Sequence, residues 1–256
     1  ILATACRSIL PMAISPPAWT NFRWTDYEGV LFDLDGVITP TAEIDEHAWG
    51  ELFADFDYTE ADYLAYIDGK PRYDGVRSFL ASRGVTLPDG DPDDPPGDDT
   101  VCAMGNRKNV LFNEILERDG IAPYPGSASV LELLAERGVP SAIVSSSKNA
   151  RKVLTAAGLA TRFEVVVDGV VAAELEVTGK PTPGTYLLGA EQLGTDPTRT
   201  VVVEDAVSGV AAGRAGNFAV TIGVDRGAGH DVLLENGATF VVDDLAELLL
   251  TGRGDD

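Results

Sequence analysis

From residue 28 onward, short runs of β-branched residues alternate with amphipathic segments, and no other feature of the chain narrows its fold as far. The runs are GVLFDL (29–34), PSAIVSS (140–146), FEVVVD (163–168), RTVVVED (199–205), FAVTIGV (218–224) and TFVVDD (239–244). Between them lie ASVLELLAERG (128–138), ARKVLTAAGL (150–159), PGTYLLGAEQLG (183–194) and AVSGVAAGRAG (206–216), each with Gly at or near a helix stop. Strands separated by helices of this length build right-handed βαβ units, and continuous apolar strands suit a sheet covered on both faces. The expected class is α/β, a doubly wound, mostly parallel sheet.

Residues 44–120 break this rhythm. They hold helical segments such as EHAWGELFADF and NVLFNEILERDG but no buried-strand run, so they are expected to form an inserted helical cap domain. The core domain is then 27–43 together with 121–256. Residues 1–26, interrupted by Arg7, Pro11, Pro16 and Pro17, are expected to be an N-terminal extension rather than a membrane span. Trp49, Phe53 and Phe56 fall at helical spacing and predict cap core. The stretch 87–100 carries six aspartates among prolines and glycines. Pro92 and Thr100 spoil the pattern of a calcium loop there, so a solvated acidic loop is expected.

The formal net charge of −22 repels phosphate backbones and anionic membrane surfaces, which argues against nucleic-acid and membrane partners. The two cysteines, Cys6 and Cys102, share no disulfide or metal-ligand spacing, and a reducing cytoplasm fits them best. A monomer is expected.

Ligands of open α/β sheets bind beyond the carboxyl ends of the strands, where strand order reverses. The strand ends therefore carry the chemistry. The first offers Asp33 and Asp35, the second Ser145 to Ser147 and the fourth Glu204 and Asp205, with Lys180 in the loop TGKPTP. Four acids crowded at one edge imply a cation, and oxygen ligands alone favour Mg²⁺. A hydroxyl and an ammonium opposite it can hold the oxygens of a transferring phosphoryl group, which one carboxylate can attack. Competing motifs are absent. Gly179-Lys180 lacks the upstream glycine of a P-loop, no GxSxG occurs, and GAGHDV (227–232) lacks the third glycine of a dinucleotide fingerprint.

The ordered set DLDGV (33–37), SSSKN (145–149), GKP (179–181) and VVVEDAVSG (201–209) resembles the haloacid dehalogenase superfamily of phosphotransferases. It is most similar to the branch containing β-phosphoglucomutase and related sugar phosphatases. The resemblance covers residues 28–250 and implies an aspartyl-phosphate mechanism on a small phosphorylated sugar. It makes Asp33 the nucleophile and Asp35 the general acid/base. Asp33, Glu204, Asp205 and the Asp35 backbone carbonyl match Mg²⁺ ligands. Ser145, Ser146, Lys148, Asn149 and Lys180 match groups around the phosphate, and Pro181 a peptide that is often cis. In the cap, Arg72 and Lys108 of the RKN at 107–109 match contacts to a distal phosphate.

Two positions depart from the mutase pattern. Asp45 stands where a β-phosphoglucomutase has histidine, and Asp68 where it has lysine. His47 lies two residues on, about 200° around a helix, so it is expected to point away from the site and to pack within the cap. Lys70, expected in a loop, is better placed to compensate. An ionised Asp45 at ~6 Å from a phosphate, with an effective dielectric near 20, costs about 3 kcal/mol per charge pair. These departures place hydrolysis ahead of isomerisation by a β-phosphoglucomutase. A catalytically silent sugar-phosphate binder ranks last, because Asp33, Asp35, Lys180 and Asp205 are intact.

Overall fold

The computed structural model describes residues 19–67, 70 and 72–249. Each apolar run contributes a strand: β1 (Gly29–Phe32), β2 (Ser141–Val144), β3 (Val165–Val167), β4 (Thr200–Glu204), β5 (Val220–Val224) and β6 (Phe240–Val242). They form a six-stranded sheet in the order β3-β2-β1-β4-β5-β6, with every neighbouring pair parallel.

Alternation along the strands sends successive side chains to opposite faces. Val30 and Phe32 join Ile143, Val203 and Ile222 in one core, while Leu31 joins Val144, Val202 and Tyr186 in another. The helices Pro125–Glu136 and Ala150–Ala156 cover the first face with Val130, Leu134 and Val153. Gly184–Leu193 and Val207–Ala215 cover the second with Tyr186, Ala190 and Ala212. Burial of each large apolar side chain contributes about 1.5–3 kcal/mol, so double coverage is what makes all-apolar strands stable.

Within the span 44–120, the helices Arg72–Ser82 and Val101–Asp119 pack with Thr41–Leu52 around a separate aromatic core. Phe53 stacks on Phe79 at 4.0 Å and on Trp49 at 5.6 Å, and Phe56 meets Phe53 edge-on at 6.0 Å. The Thr100 hydroxyl starts the long helix by accepting from the Ala103 N–H at 3.0 Å. The acidic stretch before it is largely exposed and folded on itself, with Asp94 accepting from the Thr100 hydroxyl at 2.7 Å.

The apolar contacts cross the expected domain limits. Ile44, Ala48, Phe112 and Ile115 are buried in the same cluster as Val30 and Phe32, so the cap is rooted in the core. Phe22 and Trp24, within the span expected to be an extension, are buried there too, and Phe22 meets Phe240 at 5.4 Å. Residues 1–18, including Cys6, lie outside the described residues. Among those described, Cys102 is a buried free thiol, and no helix is long and apolar enough to cross a membrane.

Candidate active site

β1 lies between β2 and β4, which makes its carboxyl end the point where strand order reverses. Phe32 is in register with both Ile143 and Val203. Asp33 and Glu204 therefore come level with Val144, the last residue of β2, and Ser145 follows it by one residue. β1 ends at Phe32, two residues earlier than the apolar run suggests, because the chain turns after Asp33 and Asp35 bridges to Thr39. Gly36 occupies this turn at φ +76°, where a Cβ would lie 1.9 Å from Asp205 Oδ2. Only glycine meets both demands.

The edge opens into a cleft of about 630 Å³. Asp33, Asp35, Glu204, Asp205 and Lys180 all line it, as do Ser146 and Asn149. Lys180 Nζ pairs with Asp33 Oδ1, donates to Glu204 Oε1 at 2.6 Å and reaches the Val144 carbonyl at 3.1 Å. The Lys180–Pro181 peptide is cis. Glu204 Oε1 also accepts from the Tyr186 hydroxyl at 3.0 Å, and its Oε2 accepts from the Asp205 and Ala206 N–H groups, each at 3.0 Å. Ser145 Oγ donates to Asp35 Oδ2 at 3.3 Å while accepting from the Ser147 N–H at 3.0 Å.

Crowded charge and burial set the proton affinities. Withdrawal from water raises Asp33 well above the ordinary carboxylate range, against the opposing Lys180 charge and with the help of Glu204 and Asp35. Asp35 is raised by the same withdrawal, opposed first by the Thr41 hydroxyl. Asp205 is pushed up to about 7, by burial and then by Glu204. Desolvation pulls Lys180 down, but the Asp33 and Glu204 charges outweigh it and raise it above its usual value.

Oxygens of Asp33, Glu204 and Asp205 lie within 4.8 Å of one another. An all-carboxylate set whose members repel one another fits a hard divalent cation, which would relieve that repulsion. Both Glu204 oxygens already accept from protein donors, so Asp33 and Asp205 are the better-placed ligands of the three.

A family model, haloacid dehalogenase-like hydrolase, matches residues 27–217 and so spans Asp33, Ser145, Lys180 and Asp205. The chain belongs to the haloacid dehalogenase-like hydrolase family. It is 48% identical over 237 residues to a β-phosphoglucomutase of Mycobacterium tuberculosis, covering 86% of this chain and 90% of that protein. It is 34% identical to hexitol phosphatase A of Escherichia coli, over 73% of this chain and 79% of the relative. Among solved structures it resembles a haloacid dehalogenase family hydrolase from Deinococcus radiodurans. That match has TM-score 0.68 and 30% identity over 88% of this chain and 94% of the other.

The haloacid dehalogenase core residues thus meet in one cleft, whereas several residues expected around the phosphate do not. Lys148 is exposed and absent from the cleft wall. Arg72 is also absent from it and donates to Asn109 Oδ1 at 3.3 Å within the cap. Lys108, expected to contact a distal phosphate, instead pairs with Asp45, because its helix Val101–Asp119 packs against Thr41–Leu52. Lys70, expected to compensate for the lysine replaced by Asp68, is absent from the cleft wall, and its ammonium donates to the Tyr66 carbonyl at 2.9 Å and to Ser78 Oγ at 2.7 Å. His47 is absent from the cleft wall, and it is exposed, 3.5 Å from Glu51, rather than packed inside the cap. Asp68 lies outside the described residues.

Some cleft residues escaped the sequence reading. Tyr124 and Arg226 line the cleft, with the Arg226 guanidinium 3.8 Å from the Tyr124 ring centre and Nε donating to the Gly36 carbonyl at 2.9 Å. Arg226 follows the end of β5 by two residues and Tyr124 precedes the helix Pro125–Glu136, both outside the four motifs. Tyr186 was legible only as a helix residue, and its hydroxyl role depends on a contact to Glu204 made across the fold.

Proposed function

We propose that the chain is a Mg²⁺-dependent enzyme that transfers the phosphoryl group of a small sugar phosphate through Asp33. The acceptor is a hydroxyl of a second sugar phosphate, as in a β-phosphoglucomutase. The observation that carries the phosphoryl chemistry is the grouping of Asp33, Asp35, Lys180 and Asp205 in one cleft at the switch point of the sheet. Mg²⁺, held by Asp33 and Asp205 with Glu204 behind them, would supply positive charge against the phosphate oxygens.

The chain's own groups divide the remaining work. Lys180, paired with Asp33, favours the carboxylate that attacks phosphorus. Asp35, whose proton affinity burial raises, gives a proton to the departing sugar oxygen and takes one from the incoming hydroxyl. Ser145 orients Asp35 by donating to Oδ2. The Asp33–phosphorus bond formed in the first transfer is broken in the second, so the enzyme is regenerated.

Asp45 bears on the choice of acceptor. The repulsion expected from it is reduced by its pairing with Lys108, whose proton affinity burial lowers to about 7, and this weakens the physical objection to a sugar phosphate acceptor. The 48% identical relative is named β-phosphoglucomutase, which points the same way. Hydrolysis is the second reading, supported by the likeness to hexitol phosphatase A. A cytoplasmic setting is supported by the buried free thiol of Cys102.

The test is incubation with Mg²⁺, β-glucose 1-phosphate and a trace of the 1,6-bisphosphate. Glucose 6-phosphate is the expected product. Stoichiometric free phosphate would instead establish the hydrolase, and the absence of either product across a panel of sugar phosphates would overturn both.

A further inference from the structure

Asp45 lines the cleft from the cap side, and no step of the phosphoryl transfer employs it. Its carboxylate is held at both oxygens. Oδ2 accepts from the Trp49 indole N–H at 3.1 Å, and Oδ1 is paired with the Lys108 ammonium. Lys108 is buried between two rings, its Nζ 5.2 Å from the centres of Trp49 and Phe112. Trp49 is fixed in turn by stacking on Phe53. The side chain of Asp45 nevertheless keeps 36% exposure, and it is the cleft that it meets.

This arrangement has a definite chemistry. A carboxylate is an acceptor only, with about four lone-pair directions, and two partners leave the others available. Paired with the buried Lys108 amine, it receives neutral hydroxyl donors, whereas a phosphate gains nothing from an acceptor that cannot donate. Fixed in one rotamer, the group needs no ordering when a ligand arrives.

We infer that Asp45 is a specificity-determining residue that accepts hydrogen bonds from the hydroxyls of the substrate's sugar, so that the cap selects polyhydroxylated phosphate esters. This rests on the sugar-phosphate reading above. Asp45 thus takes over recognition from the cap side, while the strand-end residues hold the phosphate.

The test compares kcat/KM for β-glucose 1-phosphate with kcat/KM for p-nitrophenyl phosphate, which has no sugar hydroxyls, in the wild type, Asp45→Asn and Asp45→Ala. Loss of hydrogen bonds to a charged acceptor should lower the sugar-to-aryl ratio by about tenfold or more in Asp45→Ala, through KM for the sugar phosphate. Asp45→Asn, whose carbonyl still accepts, should fall between. Because Asp45→Ala strands a buried ammonium, the same ratio is read in Asp45→Ala/Lys108→Met. A constant ratio, whether both activities fall together or neither does, overturns the inference and leaves the sugar-phosphate reading standing. A wild type with no preference for the sugar phosphate over the aryl phosphate overturns both.

Discussion

Asn109 of the cap accepts a 2.8 Å hydrogen bond from the Asn149 amide of the core. The same Asn109 oxygen accepts from Arg72 at 3.3 Å, so one atom ties the long cap helix to a second cap helix and to the loop after β2. In the proposed mutase reaction, closure of the cap over the core would exclude water from the reacting phosphate. A hydrogen bond of this kind contributes about 1 kcal/mol net. Asn109→Ala should therefore raise the ratio of free phosphate to isomerised product by about fivefold, read by parallel phosphate and glucose 6-phosphate assays. An unchanged ratio would show that closure does not depend on this contact.

Lys180 is buried between two carboxylates, and removing it leaves both without their counter-charge. Breaking a buried pair in this way costs about 3–5 kcal/mol. Lys180→Met should lower the melting temperature and reduce turnover by more than about a hundredfold. Retention of wild-type stability would mean that the ion pairs are not formed in solution.

Asp33→Asn keeps the shape of the proposed nucleophile and should delete its capacity to form the phosphoenzyme. Turnover and any acid-stable phosphorylated protein should vanish together, as followed by intact-protein mass spectrometry. Residual phosphoenzyme in this variant would move the nucleophile elsewhere.

Stability of the metal-free protein should depend on pH through Asp205 and Asp33. The folded state raises both carboxyls, Asp205 from 3.8 to about 7, so between those values the folded protein binds more protons than the unfolded chain. Stability conferred by the protonated form is thus fully present at the low end of the window and is lost as pH rises toward about 7. Mg²⁺ should offset this loss. Thermal melts in chelator should fall from pH 5 to pH 8, and the gain on adding Mg²⁺ should be larger at pH 8. A Mg²⁺ effect that is independent of pH would contradict the grouping of these acids.

Gly36→Ala combines a left-handed backbone with a Cβ 1.9 Å from Asp205 Oδ2. The backbone term alone costs about 1–2 kcal/mol. Displacement of Asp205 should raise the Mg²⁺ concentration needed for half-maximal activity by about tenfold, measured by titration at saturating substrate.

Much of the site was legible because it sits where local pattern changes. Asp33, Glu204 and Asp205 interrupt or end apolar runs, and a parallel strand exposes its carboxyl end at one edge whatever its neighbours are. Lys180 announced itself by position in a short loop before a helix. The cap was harder. Arg72, Lys70 and Lys108 are long side chains on or beside helices, and their partners at Asn109, Ser78 and Asp45 are chosen by how those helices cross.

The sequence by itself determined the α/β class, the strands, the inserted helical segment and the acids at the strand ends. Each of these follows from local periodicity or from the residue at which it stops. Tertiary structure alone decided the order of the strands, the burial of Phe22 and Trp24 in the core, and the pairing of Asp45 with Lys108 across 63 residues. The physical reason is that a carboxylate carries no mark of its counter-ion. Whether Asp45 repels a ligand or receives one depends on which ammonium the packing of Trp49 and Phe112 holds against it.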